Sequence, residues 1–230
     1  MRTPVDRDAI RSLFRRKKEL FGLVYEFNLL PANYIHESWI KSFISTILLK
    51  KITESKRGRE ILSQWILAQN NLNQDYYYNF TDPLLRLALL PSEMMNKISL
   101  YCGIALNHKN ITGIIDKRKR EKIVESIGQD GYQFGIKIAP LLVGNRTNPV
   151  SLSIKGGFKK HLEKCGATYL LYGFSRAPRP LFKRLTLKLP KDISFNQNLS
   201  SQSKKNNYNL LLFKKILKYG INPEWHHLFL

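Results

Sequence analysis

Apolar residues in this chain recur three and four positions apart, in short runs that stop at prolines. Trp39, Ile40, Phe43, Ile44, Ile47 and Leu48 form one such run; Ile10, Leu13, Phe14, Leu20, Phe21 and Val24 precede it, and Ile61, Leu62, Trp65 and Ile66 follow. That spacing places each set on one side of a helix. Thr3 and Pro4 read as a helix opening, Pro31 as a stop, and a second helix is expected from about Ser38. A third is expected over 57–72, a short one after Asp82–Pro83, and another from Ser92 carrying Met95, Ile98, Tyr101 and Cys102 inward. Residues 110–144 read as two helices turning at Gly128–Gly131, 158–174 as one more, and "YNLLLFKKILKY" as a last helix closed by Gly220 and Pro223.

Two stretches break this rhythm. "VSLSI" (150–154) alternates, and in "FKRLTLKLP" (182–190) Leu185, Leu187 and Leu189 fall on one side with Thr186 and Lys188 on the other, which is strand spacing. The expected fold is therefore mostly α: a compact multi-helix single domain with one or two short β-strands, around 150–154 and 182–190. Residues 1–26 form a basic N-terminal helical extension, 27–230 the domain proper, and the Ser/Asn/Gln-rich stretch 191–207 a polar linker before the C-terminal helix. A chain of 230 residues, 43% hydrophobic, suffices for one sizeable core.

Thirty-eight Lys and Arg against 17 Asp and Glu give a net charge of +21, a field that favours anionic partners. Arg11, Arg15, Arg16 and Lys18 share the polar side of the first helix, as candidate contacts to an anionic surface. "DKRKREK" (116–122) is the densest charge run, but it lacks interleaved aromatics and reads first as a solvated helix face. No stretch approaches the roughly 18 apolar residues of a membrane span. Cys102 and Cys165 sit in apolar surroundings, as reduced cytosolic thiols would.

Nothing in the sequence nominates a catalytic centre. His36–Glu37 begins like a zinc-protease helix, yet Ile40 stands where the second histidine is needed. His226 and His227 are adjacent and point apart; His108 and His161 have no local partner. Phosphate-cradling glycine loops and a nucleophile elbow are missing. The chain is read as no enzyme, with no cofactor, metal or small-molecule substrate. "FNLLPANYIHESWI" (27–40) is better explained as a joint. Pro31 fixes the backbone, Tyr34 brings an apolar body with a polar tip, and His36 caps the helix that carries Trp39.

That same stretch resembles the N-terminal Pro-x-x-Tyr-x-His signature of the YscK/SctK family, the sorting-platform proteins of type III secretion. Three further pieces agree in order. "LLRLALLP" through "ISLYCGIAL" is similar to the family's paired leucine-rich helices. Lys183, Arg184, Leu185, Leu187, Leu189 and Pro190 match its Lys-Arg-Leu-x-Leu-x-Leu-Pro element, and His227, Leu228 and Phe229 its closing His-Leu-Phe. The resemblance spans residues 27–230. It implies a non-enzymatic adaptor in the bacterial cytoplasm, peripheral to the inner membrane at the injectisome base. Its implied partners are the cytoplasmic domain of an inner-membrane ring protein (SctD/YscD-like) and a pod protein (SctQ/YscQ-like), leading indirectly to the stator and the ATPase. Two alternatives follow from charge alone: a basic nucleic-acid-binding protein, or a protein of anionic membrane surfaces.

Overall fold

The computed structural model describes residues 7–144, 157–193, 206–221 and 223–229. They are helical, in this order: α1 (Arg7–Arg16), α2 (Lys18–Leu29), α3 (Thr46–Glu54), α4 (Lys56–Gln69), α5 (Ser92–Leu106), α6 (His108–Thr112), α7 (Lys117–Gln133), α8 (Ala139–Val143), α9 (Phe158–Gly173), α10 (Arg179–Leu187) and α11 (Asn206–Ile216). Short 3-10 turns at Pro31–Asn33, Glu37–Trp39 and Pro83–Leu89 join them. The start and stop signals are physical. Ser45 accepts from the Leu48 N–H, Ser55 from Gly58, Asp82 from Leu84 and Asp116 from Lys119, each satisfying a donor that an open helix end leaves free. Asn71, at φ 52°, ends α4 in the left-handed conformation. Gly128, at φ 80°, bends α7 inside the expected Gly128–Gly131 turn.

The chain divides into two compact units. The first draws on Met1–Ser92, Ala177–Asp192 and Leu228–Leu230; the second on Glu93–Arg176 and Ile193–His227. In the first, Leu20, Val24, Phe27, Leu62, Ile66, Phe80, Leu87 and Leu185 form the core around the inner faces of α2, α4 and α10. In the second, α5 and α9 cross at contact distance. A Cβ on Gly103 would run into the Leu162 carbonyl, and one on Gly166 into the Ser99 carbonyl. The side of α11 that carries Leu210, Phe213 and Ile216 is buried with them. No helix among the described residues is long and apolar enough to cross a membrane.

Three expectations are corrected. There is no strand among the described residues, and 182–187 belongs to the helix α10 (Arg179–Leu187) instead. Leu181, Arg184, Leu185, Leu187, Lys188 and Leu189 are all buried, so the alternation of Leu and polar letters does not report a wet and a dry face. The helix expected from Ser38 is interrupted: a 3-10 turn at Glu37–Trp39 is followed by a bend, and α3 starts only at Thr46. Of its expected stripe Ile40 is buried, whereas Phe43, Ile47 and Leu48 are exposed. On α4, Leu62 and Ile66 face the core, but Ile61 faces solvent and Trp65 is only half-buried. The expected opening at Thr3–Pro4, the strand at 150–154 and most of the linker at 191–207 lie outside the described residues.

Candidate interaction surface

The 27–40 stretch folds into a braced joint. Buried Pro31 opens a 3-10 turn, and the Tyr34 hydroxyl donates to the Phe27 carbonyl at 2.6 Å while the two rings stack 5.9 Å apart. Burial pushes the Tyr34 phenol well above its usual range. His36 Nδ1 accepts from the Ser38 N–H at 3.2 Å, capping the Glu37–Trp39 turn, and burial lowers its pKa against the opposing pull of Glu37. Trp39 does not ride on a long helix. Its indole Nε1 donates to the Leu189 carbonyl at 2.9 Å, and the His36 N–H donates to the Leu187 carbonyl at 2.8 Å. The two sequence motifs, 150 residues apart, are thus bonded to each other.

The second motif supplies a clasp. The Arg184 guanidinium is fully buried, and it bonds carbonyls only. Nη1 reaches Asp75 at 2.6 Å and Pro180 at 3.2 Å; Nη2 reaches Asn28 at 3.2 Å and Leu72 at 3.3 Å. One side chain on α10 thereby ties the end of α2 to the loop after α4. Lys183 adds a bond to the Asn70 carbonyl at 3.1 Å. Leu185, Leu187 and Leu189 are buried beside it, and Pro190 is half-buried.

Sequence reasoning passed over two further cations. Lys188 Nζ is enclosed, donates to the Ala88 and Leu90 carbonyls at 2.7 Å each, and lies 4.8 Å from the Tyr34 ring centre and 5.2 Å from that of Phe27. Burial pulls its pKa down to about 7, with Glu26 acting in the opposite sense. Buried Arg86 donates to Phe80 and Leu228 carbonyls at 2.9 and 2.6 Å. Lys188 looked like a solvated position in the strand reading. Its spacing from Leu181, Arg184 and Leu185 (seven, four and three along a helix) is the signal that could have found it.

Outside this braced interior, the first unit displays apolar surface. Phe21 and Tyr25 on α2, Phe43 before α3, Ile47 and Leu48 on α3 and Ile61 on α4 are all about half or more exposed. Phe43 meets Trp65 edge to face at 5.6 Å. Between α2 and α4 runs a groove of about 750 Å³, lined by Tyr25, Leu29, Leu30, Ile61, Trp65 and Ala68 together with the polar Glu60, Gln64, Asn73 and Tyr76. On the second unit, every residue of Lys117–Lys122 on α7 is exposed, next to Ile115 at 95% exposure.

The other sequence candidates scatter. Arg11 and Arg15 on α1 and Lys18 on α2 are exposed, Arg11 lying 3.8 Å from Asp8; Arg16 belongs to α1, and its side chain lies outside the described residues. His227 is exposed and donates from Nδ1 to the Glu224 carbonyl at 2.6 Å, whereas Leu228 and Phe229 are buried. The described residues contain no group of three or more His, Cys, Asp or Glu able to hold a metal ion. Cys102 is buried and free, its thiol pushed well up by burial.

No curated protein matches the sequence. Among solved structures, the fold is similar to the cytoplasmic domain of the T3SS sorting platform protein PscK from P. aeruginosa. The two share 21% identity at a TM-score of 0.53, over 86% of this chain and 93% of that one. The family model for YOP proteins translocation protein K (YscK) matches residues 23–230. The chain belongs to the YscK family.

Proposed function

We propose that this protein is a non-enzymatic adaptor of the type III secretion sorting platform. In this reading it works in the bacterial cytoplasm at the base of the injectisome, beneath the inner membrane. It joins the cytoplasmic domain of an SctD/YscD-like ring protein to an SctQ/YscQ-like pod protein, and through it the stator and ATPase. Family membership and the PscK-like fold support this reading. The observation that carries it is the disposition of polar and apolar groups in the first unit. Arg86, Arg184 and Lys188 spend their donors on backbone carbonyls, which stiffens the body, while aromatic and aliphatic side chains are left outside. Reactive chemistry needs the reverse: polar groups converging on an open cleft.

Residues 1–26 serve in this reading as an extension to the body, with 191–207 as its linker. Arg11, Arg15, Arg16 and Lys18 would bias the adaptor toward the anionic inner leaflet, at about 1 kcal/mol per nearby cation. The test is retention of the ring domain and the pod protein by tagged full-length chain in the native host, paired with flotation on anionic vesicles. Both proteins should be retained together, and Arg11→Glu with Arg15→Glu should reduce flotation without loss of either. Retention of neither protein, or of nucleic acid in their place with sequence preference, would overturn the reading.

A further inference from the structure

The groove between α2 and α4 is built for a particular kind of occupant. Tyr25 and Leu29, one turn apart, line one wall; Ile61, Trp65 and Ala68 line the other. Ile61 to Ala68 is two helical turns, about 10 Å. That is the span over which an amphipathic helix presents its i, i+3, i+4 and i+7 anchors. A half-buried Trp65 beside exposed Tyr25, in a concave surface of mixed polar and apolar lining, is what protein interfaces select. No cation lines the groove, so it offers nothing to a phosphate backbone.

Charge narrows the choice further. The α3–α4 segment, residues 41–69, carries six basic residues and two acidic ones. Exposed Arg57 lies four, seven and eleven positions before Ile61, Gln64 and Ala68, a helical spacing that puts it on the same side of α4, one turn before the first lining residues of that helix, with exposed Lys56 beside it in sequence. Glu60 in the lining confines an acidic contact to that end of α4. A net charge of +21 works against a second copy of this chain as the occupant.

We propose that this groove receives an amphipathic helix of a partner protein, seated by its apolar stripe and oriented by acidic residues that meet Lys56 and Arg57. This rests on the adaptor reading and sharpens it.

The test places a photocrosslinking residue at Ile61 of the full-length chain in the native host, with Leu141, 83% exposed on the second unit, as the control position. The expected adduct maps to a segment of another protein with apolar residues at helical spacing and flanking Asp or Glu. Ile61→Asp should cut retention of that protein at least tenfold. Arg57→Glu should cut it severalfold, with recovery when the mapped acid is changed to Lys. Should Ile61→Asp disturb folding, the adduct formed by the crosslinking chain and the Arg57 charge swap still decide the matter. An adduct with a second copy, with lipid or with nucleic acid overturns the proposal. So does a mapped segment without acids, or no adduct above the control. In that last case continued retention of the ring and pod proteins leaves the adaptor reading standing, whereas loss of both removes it.

Discussion

Lys188 places its amine where water cannot reach it, and the counter-charge available to its protonated form is weak. Two carbonyls and two aromatic faces stabilise the ammonium, but the Tyr34 phenol is neutral and Glu26 acts from a distance, with Arg184 a further cation in the same interior. Its pKa of about 7 in the fold lies below the ordinary value of 10.5. Between those two values the unfolded chain binds the proton and the folded chain does not, so stability rises with pH across that window. The burial penalty is fully present below pH 7 and disappears as the pH approaches 10.5. Urea unfolding should therefore show the first unit gaining on the order of a few kcal/mol from pH 7 to pH 10, a gain that Lys188→Met flattens. An equal slope in that variant would assign the pH dependence to other groups.

At the scale of elements, the sequence reading succeeded where burial is one-sided or a cap is present. The α5 and α9 spans and the Gly128 bend were legible because their apolar spacing and punctuation agree. It failed at 182–190 because no residue of that stretch is exposed and two of its polar letters, Arg184 and Lys188, are interior. A period of two and a period of 3.6 cannot be told apart over so short a run when no face is wet. Pro178 and Pro180 stand at the start of the helix, where a proline's fixed backbone is tolerated. It failed again at Phe43, Ile47 and Ile61, where the physics of burial was applied to side chains that the fold leaves outside. Such positions look like core until a partner surface enters the argument. The bonds from His36 and Trp39 to Leu187 and Leu189 were not legible, because pairing across 150 residues leaves no local trace. The α5–α9 crossing yields a sharp expectation: Gly103→Ala or Gly166→Ala sets a methyl against backbone that cannot yield, and should cost about 1–3 kcal/mol. Calorimetry that found either variant as stable as the parent would contradict the close approach of these helices.

At the scale of the whole molecule, the first unit is assembled from three separate pieces of chain, and the last is only a few residues long. Leu228 and Phe229 are buried, and the Leu228 carbonyl receives the Arg86 guanidinium at 2.6 Å. The final piece therefore closes a unit begun more than 200 residues earlier, through the burial of Leu228 and Phe229 and the bond to Arg86. Removing residues 228–230 takes away two buried apolar side chains and leaves Arg86 short of an acceptor. The expected loss is about 3–5 kcal/mol. Because that loss belongs to one unit, hydrogen exchange should resolve it: protection should fall in the Pro83–Leu89 turn and in α2, while α9 in the second unit keeps its protection. Equal loss in both units would mean that they unfold as one cooperative body, and unchanged exchange throughout would mean that the Arg86–Leu228 contact contributes nothing to closure.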